Sequence, residues 1–390
     1  MIHNQQHDIS VVAIVNELLE KAISMSASDI HLEPTEYQLR VRFRLDGILH
    51  DQPALTKNSA QQIISRLKVL SSINIAEKRI PQDGKFHITY KNKSIDFRLS
   101  TFPSLHGEKM VIRILDHSVY GVMLQQLGFE QQMLADFQSM LVRSSGFFLV
   151  TGPTGSGKTT TLYAALSALN SPEKNIVTLE DPVEYNVPGI TQGYINPNAG
   201  FTFEKGIRAL LRQDPDILMI GEIRDKQTAR VAIESALTGH LVLSTLHTND
   251  APSAIMRLMD MGIEPFLINA SLTGVLAQRL VRKLCEFCKK SAKLTDDEMR
   301  FCERMSIEPG CIYVAVGCDT CNNIGYKGRI GIFELLTFSN KLRSLIISRP
   351  IVEDIYVQAL SDGMSTLQQD GIKKVSAGII SLADFARVIV

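Results

Sequence analysis

Phe147-Phe148-Leu149-Val150 leads, one residue later, into Gly152-Pro153-Thr154-Gly155-Ser156-Gly157-Lys158-Thr159-Thr160, and then into Leu162, Ala165, Leu166 and Leu169 at helical spacing. An apolar strand, a glycine-rich segment and an amphipathic helix in that order predict a phosphate loop of the form G-x-x-x-x-G-K-[ST]. Its glycines let successive backbone N–H groups converge on phosphate oxygens, and the start of the helix adds positive potential. Lys158 is placed to reach the β and γ phosphates and Thr159 to ligate magnesium; Thr160 completes the nucleotide-binding set. Average residue frequencies give a chance match in only about one chain in a hundred of this size. A glycine-rich turn that merely starts a helix is therefore the weaker reading.

Downstream, Ile176-Val177-Thr178-Leu179, Ile217-Leu218-Met219-Ile220 and Leu241-Val242-Leu243-Ser244 alternate with helical patterns. Short apolar strands alternating with helices predict an α/β unit whose parallel sheet is covered on both faces. Ligands of such sheets bind beyond the carboxyl ends of the strands. Two acidic segments compete there to supply the water-activating carboxylate and support for magnesium. Thr178-Leu179-Glu180-Asp181-Pro182-Val183-Glu184-Tyr185 follows one strand, where Pro182 ends the strand and leaves three carboxylates in the loop. Asp216-Ile217-Leu218-Met219-Ile220-Gly221-Glu222-Ile223-Arg224-Asp225 resembles a Walker B strand with Gly-Glu where Asp is more usual. Helix caps and surface acids are the structural alternative for each carboxylate. His247, past the last of these strands, is positioned either to sense the γ phosphate or to act as a structural hydrogen-bonder.

At 390 residues, with roughly 100 to 200 residues per domain, the chain holds two or three domains. A 45% hydrophobic content excludes general disorder, and 41 basic against 41 acidic side chains give no overall pull towards nucleic acid or an acidic membrane. The first residues lack the pattern of a secretory signal, and no run approaches the ~20 apolar residues that span a bilayer. The expected location is cytoplasmic. Val11, Ile14, Val15, Leu18, Leu19 and Ile23 predict a helix. Gln38 to Gly47 alternates apolar and basic residues into an Asp-Gly turn, and a second hairpin, with strands near Lys85 to Tyr90 and Ser94 to Ser100, is expected after a turn at Pro81-Gln82-Asp83-Gly84. Residues 1–116 thus read as an α+β domain with an antiparallel sheet, 117–124 as a linker, 125–280 as the nucleotide-binding core, 281–329 as a cysteine module and 330–390 as a mostly helical tail.

All six cysteines fall between Cys285 and Cys321. Cys285-Glu286-Phe287-Cys288 and Cys318-Asp319-Thr320-Cys321 are separated by a 29-residue spacer, longer than in a compact zinc ribbon but closable by one metal ion. Four thiolates in a reducing compartment favour a tetrahedral structural zinc site over disulfides. Cys302 and Cys311, inside the spacer, are alternative ligands.

Together these residues resemble the secretion ATPases that power type II protein secretion and type IV pilus assembly. The likeness runs from Ser28-Asp29-Ile30-His31-Leu32-Glu33-Pro34 through Arg79-Ile80-Pro81-Gln82-Asp83-Gly84 and the phosphate loop. It continues through the Glu180–Tyr185 "Asp box", Gly221-Glu222-Ile223-Arg224-Asp225 and the His247 "His box" to Gly325-Tyr326-Lys327-Gly328-Arg329. The resemblance implies a homo-hexameric ring in which each subunit pairs a PAS-like N-terminal domain with a RecA-like ATPase domain, binds ATP between them, and turns their relative rotation into mechanical output. It puts Lys158 and Thr159 on phosphate and magnesium, Glu184 as general base with Glu180 as fallback, Glu222 in support of magnesium, and His247 towards the γ phosphate. Arg98 and Arg113 match N-terminal arginines that reach ATP; arginine suits that task because its charge and fork persist against phosphate.

The family's assembly and secretion members carry a tetracysteine insert that its retraction members typically lack, so extension or secretion is favoured. The expected partners are an inner-membrane platform protein and the pilus or secretion apparatus, which would hold the ring peripherally at the inner membrane. Many relatives carry a further N-terminal docking domain for which this chain leaves no room, marking it as a short member or a fragment. The alternatives are a RecA-like nucleic-acid translocase and a nucleotide-switched zinc adaptor without turnover. No basic groove interleaved with stacking aromatics supports direct nucleic-acid binding.

Overall fold

A computed structural model describes residues 10–116, 121–305 and 312–389. The chain divides into two compact units, Met1–Tyr120 and Gly121–Val390.

The first unit holds α1 (Val11–Ser24), β1 (Asp29–Pro34), β2 (Gln38–Leu45), β3 (Ile48–Thr56), α2 (Lys57–Leu70), β4 (Gln82–Tyr90), β5 (Lys93–Ser104) and β6 (Gly107–Asp116). Its six strands form one antiparallel sheet in the order β3-β2-β1-β6-β5-β4. Alternation decides which face is covered: in β2, Leu39, Val41, Phe43 and Leu45 are buried, while Arg40, Arg42 and Arg44 lie on the other face. Asp46 and Gly47 take φ of 47° and 88°, the pair of left-handed residues that closes a two-residue hairpin. The second hairpin reverses between the two expected strands, but its first strand starts earlier than the sequence suggests. Gln82, Asp83 and Gly84 belong to β4, and Lys91-Asn92, at φ 48° and 64°, make the turn. Gly84 serves close approach instead of reversal, because a Cβ there would lie 2.8 Å from Ser71 and Ile73 atoms.

The second unit holds α3 (Gln131–Leu141), β7 (Gly146–Thr151), α4 (Lys158–Leu169), β8 (Ile176–Glu180), β9 (Thr191–Tyr194), α5 (Phe203–Leu210), β10 (Ile217–Ile220), α6 (Lys226–Leu237), β11 (Leu241–Leu246), α7 (Ala251–Asp260), α8 (Pro265–Ser271) and β12 (Leu272–Leu284). β13 (Lys290–Ala292), α9 (Asp296–Arg304), β14 (Ile312–Val314), β15 (Tyr326–Thr337), α10 (Asn340–Ile347), α11 (Val352–Ser361), α12 (Leu367–Ser376) and α13 (Leu382–Ile389) follow. The seven-stranded sheet runs β15-β12-β7-β11-β10-β8-β9. Its strands are parallel except for the edge strand β15, which runs antiparallel to β12. Phe147 and Leu149 point into one apolar core with α6 and α7, and Phe148 and Val150 into the other with α3 and α4. Burial on both faces is why these strands read as unbroken apolar runs.

β12 and β15 cross the boundaries the sequence suggests at 280 and 329, so the cysteine segment departs from one strand of this sheet and returns into its neighbour. The segment beyond 330 accordingly begins as strand before it turns helical. Among the described residues no helix is long and apolar enough to cross a membrane.

Candidate functional site

β7, β11, β10 and β8 end at one edge of the sheet, with Thr151 beside Leu246 and Ile220 beside both Ser244 and Leu179. The segment Gly152–Thr160 begins there. Gly152, Gly155 and Gly157 have φ of 148°, 80° and 89°, which other residues rarely adopt, and a Cβ on Gly152 would lie 2.5 Å from the carbonyl oxygen of Gln278. Gly157 precedes α4 without a side-chain cap, whereas α6 and α7 are capped by Asp225 and Asp250. The α4 N-terminus thus presents backbone donors suited to an anion.

Lys158 is buried and donates to the carbonyls of Gly152 and Pro153 at 2.7 and 3.0 Å. Burial pulls its pKa down, the Glu222 carboxylate pulls it up and Arg279 lowers it, leaving it at about 8. Thr159 and Thr160 stand in the first turn of α4, partly buried. The cradle, the open helix end and a convergent ammonium fit a nucleotide polyphosphate, with Thr159 and Glu222 as the oxygen donors appropriate to magnesium.

Glu222 follows β10 and is paired with Arg224 on one side and, at 3.4 Å, with His247 Nε2 on the other. Its carboxylate raises the pKa of Arg224. His247 is held by its neighbour: Thr248 N donates to Thr151 Oγ1 at 2.9 Å, and the two hydroxyls meet at 2.7 Å. The loop after β11 is therefore fastened to the residue that precedes the phosphate loop.

The two carboxylates of the Asp box differ. Glu180 is the last residue of β8 and buried, not part of the following loop. It accepts from Tyr163 Oη, from Thr178 Oγ1 at 2.6 Å and from Gln192 Nε2 at 3.2 Å. Burial raises its pKa against the pull of those donors. Gln192 also donates to Tyr185 O at 3.1 Å and accepts from Val187 N at 2.7 Å, which fixes the loop that carries Glu184. Glu184 itself is partly buried.

Arg98 and Arg113 are brought opposite each other on β5 and β6 of the first unit. Arg113 Nε lies 3.1 Å from Asp29 Oδ1. Cys285, Cys288, Cys318 and Cys321 converge separately, with their sulfurs all within 4.8 Å of one another. The Cys285–Cys318, Cys288–Cys321 and Cys318–Cys321 pairs are each 3.8 Å apart. Ligands about 2.3 Å from a tetrahedral zinc lie about 3.8 Å from each other, so the donor set fits zinc and is far too open for disulfides. N–H groups of Cys318 and Gly325 point at Cys321 Sγ; burial raises that thiol's pKa, but these donors outweigh it and bring it to about 7. Cys302 is buried outside the cluster on α9, and Cys311 lies outside the described residues.

Sequence reasoning misses Gln278, Arg279, Tyr163 and Gln192. Gln278 is 1% exposed; its Nε2 donates to Ser156 O at 2.7 Å and its Oε1 accepts from Thr161 Oγ1 at 2.8 Å, clamping the phosphate loop to α4. A Gln-Arg pair interrupting the apolar run of β12 was the available signal.

A family model described as type II/IV secretion system protein matches residues 4–387. The chain is 46% identical to the type II secretion system ATPase E of Vibrio cholerae, over 98% of this chain and 76% of that protein. It is 47% identical to the type IV pilus assembly ATPase PilB of Myxococcus xanthus, over 97% of this chain and 67% of that protein. Among solved structures, the pilus retraction motor PilT with bound ADP aligns over 95% of both chains with a TM-score of 0.63 and 26% identity. The Legionella pneumophila ATPase DotB shares the fold, with a TM-score of 0.71 at 19% identity over 99% of this chain and 97% of that one.

Proposed function

The chain belongs to the type II/IV secretion system protein family, and from that membership we propose that it is a cytoplasmic ATP hydrolase that drives assembly of pilin or pseudopilin subunits. It acts as a homo-hexamer, through an inner-membrane platform protein that keeps it at the membrane periphery. The observation that carries this reading is the gathering of the Lys158 loop, Glu222 and His247 at one edge of a parallel sheet, in a chain akin to ATPases of secretion and pilus assembly. In finer terms we read the second unit as a RecA-like core and the first as PAS-like.

Lys158 and the α4 N-terminus hold the phosphates. Thr159 and Glu222 would hold magnesium, which supplies charge neutralisation on the phosphate oxygens. Glu184 takes the proton of the attacking water, and His247, beside Glu222, faces the γ phosphate as charge develops. Glu180, engaged by three donors, organises the Asp-box loop and stays second to Glu184 as base. The four cysteines bind one structural zinc with no open position, which supports an assembly or secretion motor over a retraction motor.

The test is genetic. In the source organism, deletion of the gene should abolish secretion or piliation, the wild-type chain should restore it, and Glu222→Gln should not. Normal secretion and piliation in the deletion strain, or turnover that rises with single-stranded DNA in a salt-sensitive way, would overturn the proposal.

A further inference from the structure

Successive residues of a strand project to opposite faces, and Gln278 and Arg279 in β12 use this to reach two different loops. Gln278 clamps the phosphate loop, as described. Arg279 Nη2 donates to the main-chain oxygen of Asn249 at 2.8 Å and to its Oδ1 at 3.3 Å, while Nη1 donates to Gln278 O at 3.3 Å. Asn249 stands between the Thr248 that is tied to Thr151 and the Asp250 that caps α7. Arg279 is half-buried. Burial lowers its pKa, and the carboxylates of Asp250 and Glu334 oppose that. Its charge is also felt at the Lys158 ammonium.

We infer that Arg279 is a positioning residue: by holding the Asn249 carbonyl it sets the loop that bears His247 against the phosphate loop held by the adjoining Gln278. One strand thereby registers both walls of the γ-phosphate site. The guanidinium fork is what makes this possible, since it reaches the carbonyls of Asn249 and Gln278 together, whereas a lysine ammonium is a single point charge on a flexible stem. Among the described residues Arg279 is the side chain seen to donate to both of these carbonyls. The inference rests on the reading of the Lys158 site as an ATP-hydrolysing site and concerns how that site is aligned.

The experiment uses the full chain with zinc present, as wild type, Arg279→Gln, Arg279→Lys, His247→Ala and the Arg279→Gln/His247→Ala double variant. Phosphate release, affinity for fluorescent ADP and for a non-hydrolysable ATP analogue, and thermal unfolding are measured for each. Arg279→Gln should lower kcat about a hundredfold, the scale set by a small misplacement of reacting groups, with ADP affinity nearly unchanged and the ATP analogue weakened more than ADP. Arg279→Lys should recover part of the rate. The double variant should be little slower than the slower single variant, because both changes disable the same loop.

Unchanged turnover in Arg279→Gln, losses that multiply in the double variant, or an equal collapse of ADP and analogue binding would each overturn the inference. If Arg279→Gln fails to fold, Arg279→Lys must show the same selective loss in kcat, and parity with wild type overturns the idea. A wild-type chain without turnover would sink the ATPase reading instead. The binding arm then still decides: Arg279→Gln must weaken the ATP analogue more than ADP, and equal weakening counts against it.

Discussion

His247 Nε2 lies 3.4 Å from Glu222 Oε2, although each residue follows a different strand. Parallel pairing of β10 with β11 brings the two strand ends level, with Ile220 beside Ser244, and the Thr151–Thr248 contacts hold the second loop in place. A carboxylate and an imidazole thus meet close to the buried lysine of the phosphate loop, where Glu222 raises the pKa of Lys158 against the effect of burial. Groups held at a site before reaction stabilise developing charge without reorganisation.

From that contact, Glu222→Gln should reduce phosphate release about a hundredfold or more while ADP still binds, because the polyphosphate cradle is built from other residues. His247→Ala should cut turnover less severely. Steady-state kinetics beside fluorescent-ADP titration checks both, and loss of ADP binding in Glu222→Gln would assign that residue to the cradle.

Glu180 and Glu184 should separate by the kind of damage their substitution causes. Glu180→Gln replaces a buried acceptor of three hydrogen bonds with an amide whose NH2 end meets a partner only if a hydroxyl that now donates turns to accept, a change that costs about 1 to 3 kcal/mol of stability. Glu184→Gln should leave stability within about 0.5 kcal/mol and suppress turnover. Denaturant unfolding and phosphate release, run in parallel, make the comparison. An inactive Glu180→Gln of full stability would return the role of base to Glu180.

Glu334 makes stability depend on pH. It is buried on β15, and accepts from Ala251 N at 2.8 Å and Leu367 N at 3.4 Å, the N-termini of α7 and α12. Burial pushes its pKa from 4.5 to about 7, while the Ala251 donor opposes that rise. Between these values the unfolded chain has lost the proton that the folded chain keeps, so stability falls as pH rises from about 4.5 to about 7 and is flat in this respect above. The difference is roughly 3 kcal/mol at most. Glu334→Gln should flatten that window, and a variant whose pH slope equals that of wild type would show that Glu334 titrates normally.

Removing zinc should loosen the second unit. The cluster ties Cys285, just beyond β12, to Cys318 and Cys321, just before β15. Chelation or Cys321→Ser should lower the melting temperature by roughly 5 °C or more, and metal analysis should find one zinc per chain in wild type. Purified protein free of zinc with undiminished stability would leave the thiols as ordinary buried cysteines.

Much of this was legible in sequence because periodicity and the phosphate loop are local signals. The strands from Phe147, Ile176, Ile217 and Leu241, the α1 helix and the Asp46-Gly47 turn all follow from neighbouring residues. The misreading at Pro81–Gly84 came from taking Gly84 as a turn former, when its role is set by Ser71 and Ile73 more than ten residues away in the chain. Gln278 and Arg279 escape for the same reason: each acts through a contact with a distant loop, and their one local sign, two polar residues interrupting the apolar run of β12, does not say which loops they reach. The different environments of Glu180 and Glu184 likewise depend on Tyr163 and Gln192, which no local motif names.

The most direct measurement is steady-state phosphate release from magnesium-ATP by the purified, zinc-loaded chain beside its Lys158→Ala variant, with folding and zinc content matched. Sustained turnover in the first and none above background in the second is the predicted result. Equal rates in both, or no turnover by wild type in an assembled ring, would contradict ATP hydrolysis at the Lys158 loop.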